Sequence, residues 1–244
     1  MSGTSHFALT QKFYANEALS TCDIVHAITA SNQYLKELPS VFNMDSVSFY
    51  TTLNQRNLSG FVGEVFKHSL CSSTDRYAPN PHPDGRPDLL DLETTSSRDF
   101  FKDKCFSAEG APQRIHLAPY PFGGIEVKSC IGSLKNATAY PIGIPRHMEI
   151  TTLNYWAHHA HECQLLGLYY DFCSLVDGNP QIKAAFFCKL EASDWNKVSI
   201  GDPNKKKTSN TSLNASGTAK VRNNMICHST EPKYIDTLSR LGCL

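Results

Sequence analysis

The stretch GGIEVKSC, Gly123 to Cys130, decides how this chain is read. Ile125 and Val127 are β-branched, so the stretch reads as a buried strand. Glu126 and Lys128 stand inside it, two residues apart. Side chains alternate across a strand, so both charges point to one face. An otherwise apolar strand with a carboxylate and an ammonium on the same face needs a reason for holding them.

A second strand upstream offers one. The segment APNPHPDGRPD, Ala78 to Asp88, is a turn by its Pro, Asn and Gly content. DLLDL, Asp88 to Leu92, then reads as a strand that opens on an acid. If the two strands are neighbours, Asp88, Glu126 and Lys128 converge. Two carboxylates supply hard oxygen ligands for Mg²⁺. Lys128 would orient a water on the ion and help to deprotonate it. That combination suits hydrolysis of a phosphodiester, because the ion screens the anion, sharpens the nucleophile and stabilises the leaving oxygen. Asp91 and Glu93 are alternative partners for Glu126. Asp91 lies three residues from Asp88, which aims it at the opposite face of an extended strand, so Asp88 is preferred.

The pattern Pro87-Asp88 … Glu126-Val127-Lys128 resembles the PD-(D/E)xK nuclease motif. An E-x-K pair alone carries almost no weight, since on a half-exposed strand it is usually a solvated face with a cross-strand ion pair. The resemblance gains weight from Pro87-Asp88, from Gly63-Glu64 on a helix just upstream, and from the order of the later elements. It spans Leu58 to Trp195 and is nearest to type II restriction endonucleases. It implies an α/β fold with a restriction-endonuclease-like core, a mixed central β-sheet flanked by helices. It implies Mg²⁺ as cofactor, one or two ions per site, double-stranded DNA as substrate and a homodimer that cuts both strands. It gives the Val127 carbonyl a place as a further metal ligand and Glu64 a supporting part, with a second ion or the attacking water. A structure-specific repair nuclease of the same superfamily and a non-catalytic DNA-binding protein are the alternatives. The separation of Asp88 from Glu126 requires an insertion between their strands.

Elsewhere the expected elements follow from periodicity. STCDIVHAITASNQYLKEL reads as a helix capped by Ser20 or Thr21, with Ile24, Ile28 and Leu35 on its apolar face. NLSGFVGEVFKHSL reads as a helix with Ser59 as N-cap and a stripe of Leu58, Val62, Val65, Phe66 and Leu70. The polar stretch from Glu93 to Phe122 reads as a long loop or small insertion. MEITTLNYWAHHAHECQ reads as a helix with Leu153, Ala157 and Ala160 on one side. LLGLYYDFC and IKAAFFCKL read as strands joined through a turn at Asp177-Gly178. A polar hairpin is expected around TSLNASGTAKV. The whole reads as a single domain, with an N-terminal helical region (1–57), a nuclease core (58–195) and a basic C-terminal region (196–244).

Composition bounds the remaining possibilities. The 244 residues suffice for a real core, and 41% apolar with 19% charged residues fits a globular chain. Net charge is zero, which argues against a uniformly basic coat. From residue 196 onward eight Lys and Arg stand against three Asp and Glu, so this segment carries +5 and the first 195 residues −5. Lys207, Asn210, Asn214, Lys220 and Arg222 in this segment are candidates for DNA contact, since Asn and Arg pair with base edges and Lys with phosphates. Arg146 and His147 form a second candidate group. The run His158 to Glu162 reads as a polar helix face, with His158 a candidate phosphate contact; the H-E-x-x-H order of a zinc site is absent. Nine cysteines without a C-x-x-C pair fit a reducing compartment, with neither disulfides nor structural zinc expected. No secretory signal layout and no bilayer-length apolar run is found, so a cytoplasmic protein off the membrane is expected, and the resemblance implies a prokaryotic one.

Overall fold

The strand at residues 125–130 forms, and the architecture is arranged around it. The structure is a computed structural model that describes residues 7–9, 21–117, 121–135, 142–158, 160–172, 178–199 and 209–244. A short strand β1 (Phe7–Leu9) precedes three helices, α1 (Thr21–Val41), α2 (Ser46–Thr51) and α3 (Gln55–Cys71). Strands β2 (Tyr77–Pro79) and β3 (Leu89–Asp91) are followed by helices α4 (Thr95–Lys104) and α5 (Arg114–Leu117). Then come β4 (Ile125–Cys130), the short strands β5 (Ser133–Leu134), β6 (Ile150–Thr152) and β7 (Trp156–Ala157), and the long strands β8 (Cys163–Phe172) and β9 (Pro180–Leu190). The last elements are β10 (Thr211–Ser212), α6 (Ala215–Asn223), β11 (Met225–Ser229) and α7 (Pro232–Arg240).

Seven strands form a mixed sheet in the order β1-β11-β9-β8-β4-β3-β2. Strands β4 and β8 run parallel, with Lys128 level with Gly167. The neighbours β3 and β4 are antiparallel and meet at Leu89 and Ile125, as the convergence of Asp88 and Glu126 requires. Strand β8 is apolar almost throughout because both of its faces are covered. Leu166, Leu168 and Tyr170 join one core with Ile28, Leu35, Val62 and Phe66 of the N-terminal helices. Leu165 and Tyr169 join a second core with Trp195, Val221, Tyr234 and Leu238. Ile125 and Val127 of β4 belong to the first core and Cys130 to the second. Glu126 and Lys128 share the parity of Cys130 and so emerge on the second face.

The expected stripes of α1 and α3 are buried, and several other expectations are refined or corrected. The described residues of the segment 149–162 form no helix. They form β6, which pairs with β5, then β7, which pairs with β10, and continue without helix into β8. Leu153, Tyr155 and Ala157 are buried in alternation around the exposed Trp156, so the true period is two. The β-branched run Ile150-Thr151-Thr152 favours the same outcome. The polar hairpin around residues 211–221 is replaced by β10 and α6, whose N-cap Asn214 accepts a hydrogen bond from Gly217 N–H. The stretch between β3 and β4 contains α4, capped by Thr94, and α5; Phe101, Cys105 and Leu117 pack with Leu90 into a small core of their own. The N-cap of α3 is Asn54, which accepts from Asn57 N–H, and Ser59 lies inside the helix. Thr21 is the first helical residue of α1. Ser20, Asp177 and Lys207 lie outside the described residues.

Candidate active site

The start of β3 is fixed beside β4 by local constraints. Asn80 N–H donates to the Asp88 carbonyl at 2.9 Å. The Asn80 side-chain amide donates to Pro87 O at 2.9 Å and to Leu117 O at 3.1 Å. The Arg86–Pro87 peptide is cis. Gly124, with φ of +113°, completes the junction: a Cβ there would lie 2.3 Å from Pro87 Cγ and 2.4 Å from Leu89 O. Only glycine combines that dihedral with so close an approach.

This junction brings Asp88 onto β4. Its Oδ2 accepts a hydrogen bond from Val127 N–H at 2.8 Å and lies 3.6 Å from Lys128 Nζ. Lys128 Nζ lies 2.5 Å from Glu126 Oε1, and Glu126 is buried at 7% exposure. The two charges of the opening stretch thus share their face with a third group from the neighbouring strand. Helix α3 reaches the same place. Ser129 Oγ donates to the Ser59 carbonyl, and Ser59 Oγ lies 2.8 Å from the Tyr170 hydroxyl, which ties α3 to β4 and β8. Lys67 of α3 then sits 3.3 Å from Asp88 Oδ1 and 2.7 Å from Glu64 Oε1. Gly167, level with Lys128, leaves room for the Tyr155 ring against the sheet; a Cβ at that position would meet it at 2.9 Å.

The electrostatics follow from these contacts. Burial works to raise the Asp88 pKa, but the Lys128 and Lys67 ammoniums and the Val127 N–H outweigh it, so the carboxyl sits below its ordinary range. Burial works to lower the Lys128 pKa, and the Asp88 and Glu126 carboxylates hold it well above the ordinary lysine value. Lys67 is raised in the same way, by Asp88 and Glu64 against its burial. Cys130 is pushed up to about 11 by burial and stays a thiol at neutral pH. His161 lies within electrostatic reach of Glu126, Arg86, Lys128 and Asp88, and burial keeps its imidazole neutral at pH 7. Its ring stacks on Trp195, whose indole N–H donates to the His161 carbonyl at 3.0 Å.

Among the described residues no three His, Cys, Asp or Glu side chains form a ready metal cage. The donor set nonetheless fits Mg²⁺, which is commonly bound through one or two carboxylates and keeps its remaining positions for water and substrate phosphate. Asp88 and Glu126 already face one shared positive charge in the Lys128 ammonium. Asp91 and Glu93, the alternative acids, both pair with Arg76, at 3.0 and 2.5 Å.

Asp88, Glu126, Val127 and Lys128 are therefore together, and Glu64 joins them through Lys67 while remaining largely exposed. The other sequence candidates are engaged elsewhere. Arg146 is buried, its N–H donates to Asp171 and its guanidinium to Ile131 O. His147 lies 3.8 Å from Asp171 Oδ2. His158 Nδ1 lies 3.4 Å from the Ser209 carbonyl. Asn210 contacts Ser199, Asn214 caps α6, and Lys220 pairs with Asp194 at 2.6 Å. Arg222 lies on the last turn of α6, within electrostatic reach of Cys243. Sequence reasoning missed Lys67 and His161. The signal for Lys67 was its i,i+3 spacing from Glu64, which places both on one side of the helix. His161 had no signal, because its approach depends on the strand that replaces the expected helix. Comparison with protein-family models, with curated proteins and with solved structures gives no significant match to this chain.

Proposed function

We propose that this chain is a Mg²⁺-dependent endonuclease of the PD-(D/E)xK type, cutting double-stranded DNA at a short specific sequence as type II restriction endonucleases do. One observation carries the reading: Asp88 at the head of β3 and Glu126 on β4 both face the Lys128 ammonium. An ordinary surface ion pair would need neither the Gly124 junction nor the burial of Glu126. The run β2-β3-β4-β8, with α3 packed behind it, supports the same reading. The departure from the resemblance lies in residues 149–162, where strands stand in place of a helix; Asp88, Glu126 and Lys128 lie on β3 and β4.

In this reading Asp88, Glu126 and the Val127 carbonyl would hold Mg²⁺, which when bound would screen the scissile phosphate and activate water. Lys128 donates hydrogen bonds toward the attacking water and the phosphate. Its proton is held tightly while both carboxylates face it, and less tightly once they are engaged by a cation. Lys67 keeps Asp88 ionised and turned toward β4. His161, neutral and backed by Trp195, borders the site without adding charge. Cutting both strands of a symmetric sequence calls for two such sites, hence a homodimer.

Digestion of supercoiled plasmid with Mg²⁺ tests the proposal. Discrete, reproducible bands with defined ends are expected. The internal engagement of Arg146, Asn214 and Lys220 favours a second reading, a nuclease with the same chemistry that acts on DNA structure. In that case the plasmid gives a smear, or only branched and flapped substrates are cut. Intact plasmid and intact branched DNA at every Mg²⁺ concentration would end both readings.

A further inference from the structure

Lys67 occupies the space between Glu64 and Asp88, and its side chain is 11% exposed. The two oxygens of Asp88 serve different partners. Oδ2 takes Val127 N–H and faces Lys128, while Oδ1 faces Lys67 at 3.3 Å. A second divalent ion would need Asp88 Oδ1 and Glu64, the two groups Lys67 already bridges. We propose, resting on the nuclease reading above, that the site binds a single divalent cation and that the Lys67 ammonium stands permanently in the place of a second.

The charge balance points the same way. Glu64 and Asp88 face Lys67, and Asp88 and Glu126 face Lys128, which leaves one net negative charge among the five. One divalent ion with one phosphodiester brings that set to neutrality. Two ions would leave it doubly positive, beside an Arg86 in electrostatic reach of the same His161. Excess like charge at a partly buried site is costly, and an ammonium fixed on a helix avoids it without depending on cation concentration. The same placement explains why Glu64 is exposed: it steadies Lys67 and touches no reacting group.

Calorimetric titration of the intact protein with Mn²⁺, alongside electron paramagnetic resonance of the free ion, tests this without reference to activity. Wild type is expected to take one ion per chain, and Asp88→Asn to lose it. Lys67→Met should bind two, both sensitive to a further Asp88→Asn change, while Lys67→Arg should stay at one. A circular-dichroism melt of each variant confirms that folded protein is being counted. Two Asp88-dependent ions in wild type would overturn the single-cation proposal and leave the nuclease reading standing. A single ion in folded Lys67→Met would overturn it as well. No ion in wild type would overturn the nuclease reading and this inference with it.

Discussion

Lys128 keeps its proton in spite of burial because two carboxylates face it, and each of those carboxylates is placed by a different strand. The pair within β4 follows from alternation alone; the third group depends on Gly124 admitting Pro87 and Asp88. Lys128→Ala is expected to lower Mg²⁺-dependent DNA cleavage by about 10²- to 10⁴-fold, the range for loss of a group that moves or positions a reacting proton. DNA binding in a gel-shift assay should persist, since one cation among many phosphate contacts is removed. Cleavage within about threefold of wild type would remove Lys128 from the chemistry. The Asp88–Glu126–Lys128 set was visible in the sequence because its members are two residues apart on one strand and at the head of the next. Lys67 was not read, because its spacing from Glu64 shows only a shared helix side, while its approach to Asp88 depends on how α3 packs on the sheet.

Among the elements, α3 shows how local signals place a functional side chain. Its stripe of Leu58, Val62, Phe66 and Leu70 is fully buried, and its register carries Glu64 and Lys67 to the sheet edge. Asn54 caps its first turn. Asn54→Ala is expected to cost about 1 kcal/mol of stability in urea unfolding, with the slope of the transition unchanged. A loss below about 0.2 kcal/mol would show that packing alone sets the start of the helix. Strands β8 and β9 were legible as short apolar runs either side of a turn signal, and β4 through its alternating β-branched Ile125 and Val127. The segment 149–162 was misread because Leu153, Ala157 and Ala160 also satisfy a helical spacing. The buried Tyr155, two residues from both Leu153 and Ala157, is the residue that decides for period two. Helix α6 was missed because Ser, Thr, Asn and Gly dominate its sequence; its Asn214 cap and its packing on the turn at Ala192–Asp194 supply what propensity does not.

For the molecule as a whole, the second core holds an ionisable group whose cost depends on pH. Asp171 is fully buried beside Arg146 and Tyr234, and burial pushes its pKa up to about 6 from an ordinary 3.8. The folded protein therefore binds this proton more tightly than the unfolded chain. The stabilisation it brings is complete below about pH 4 and is lost as pH rises through about 6. His147 beside it is lowered by burial and by Lys233, so it opposes this trend by weakening the fold as pH falls through its ordinary range near 6.5. The difference in unfolding free energy between wild type and Asp171→Asn isolates the aspartate. It should shift against wild type between pH 4 and pH 6.5, on the order of 1–3 kcal/mol, and level off above. A pH-independent difference would show that Asp171 titrates normally.

In the proposed reading Asp88 and Glu126 would share a divalent ion beside Lys128, at one place on this sheet. Asp88→Asn keeps the size of the side chain and a carbonyl oxygen for the Val127 N–H while removing the charge that would hold the ion. The most direct measurement is cleavage of plasmid DNA by wild type and by folded Asp88→Asn across a Mg²⁺ titration. The account predicts saturable, Mg²⁺-dependent cutting by wild type and a loss of at least about 10²-fold in the variant that added Mg²⁺ does not restore. Equal cutting by the two proteins, or cutting by wild type that persists in excess chelator, would contradict it.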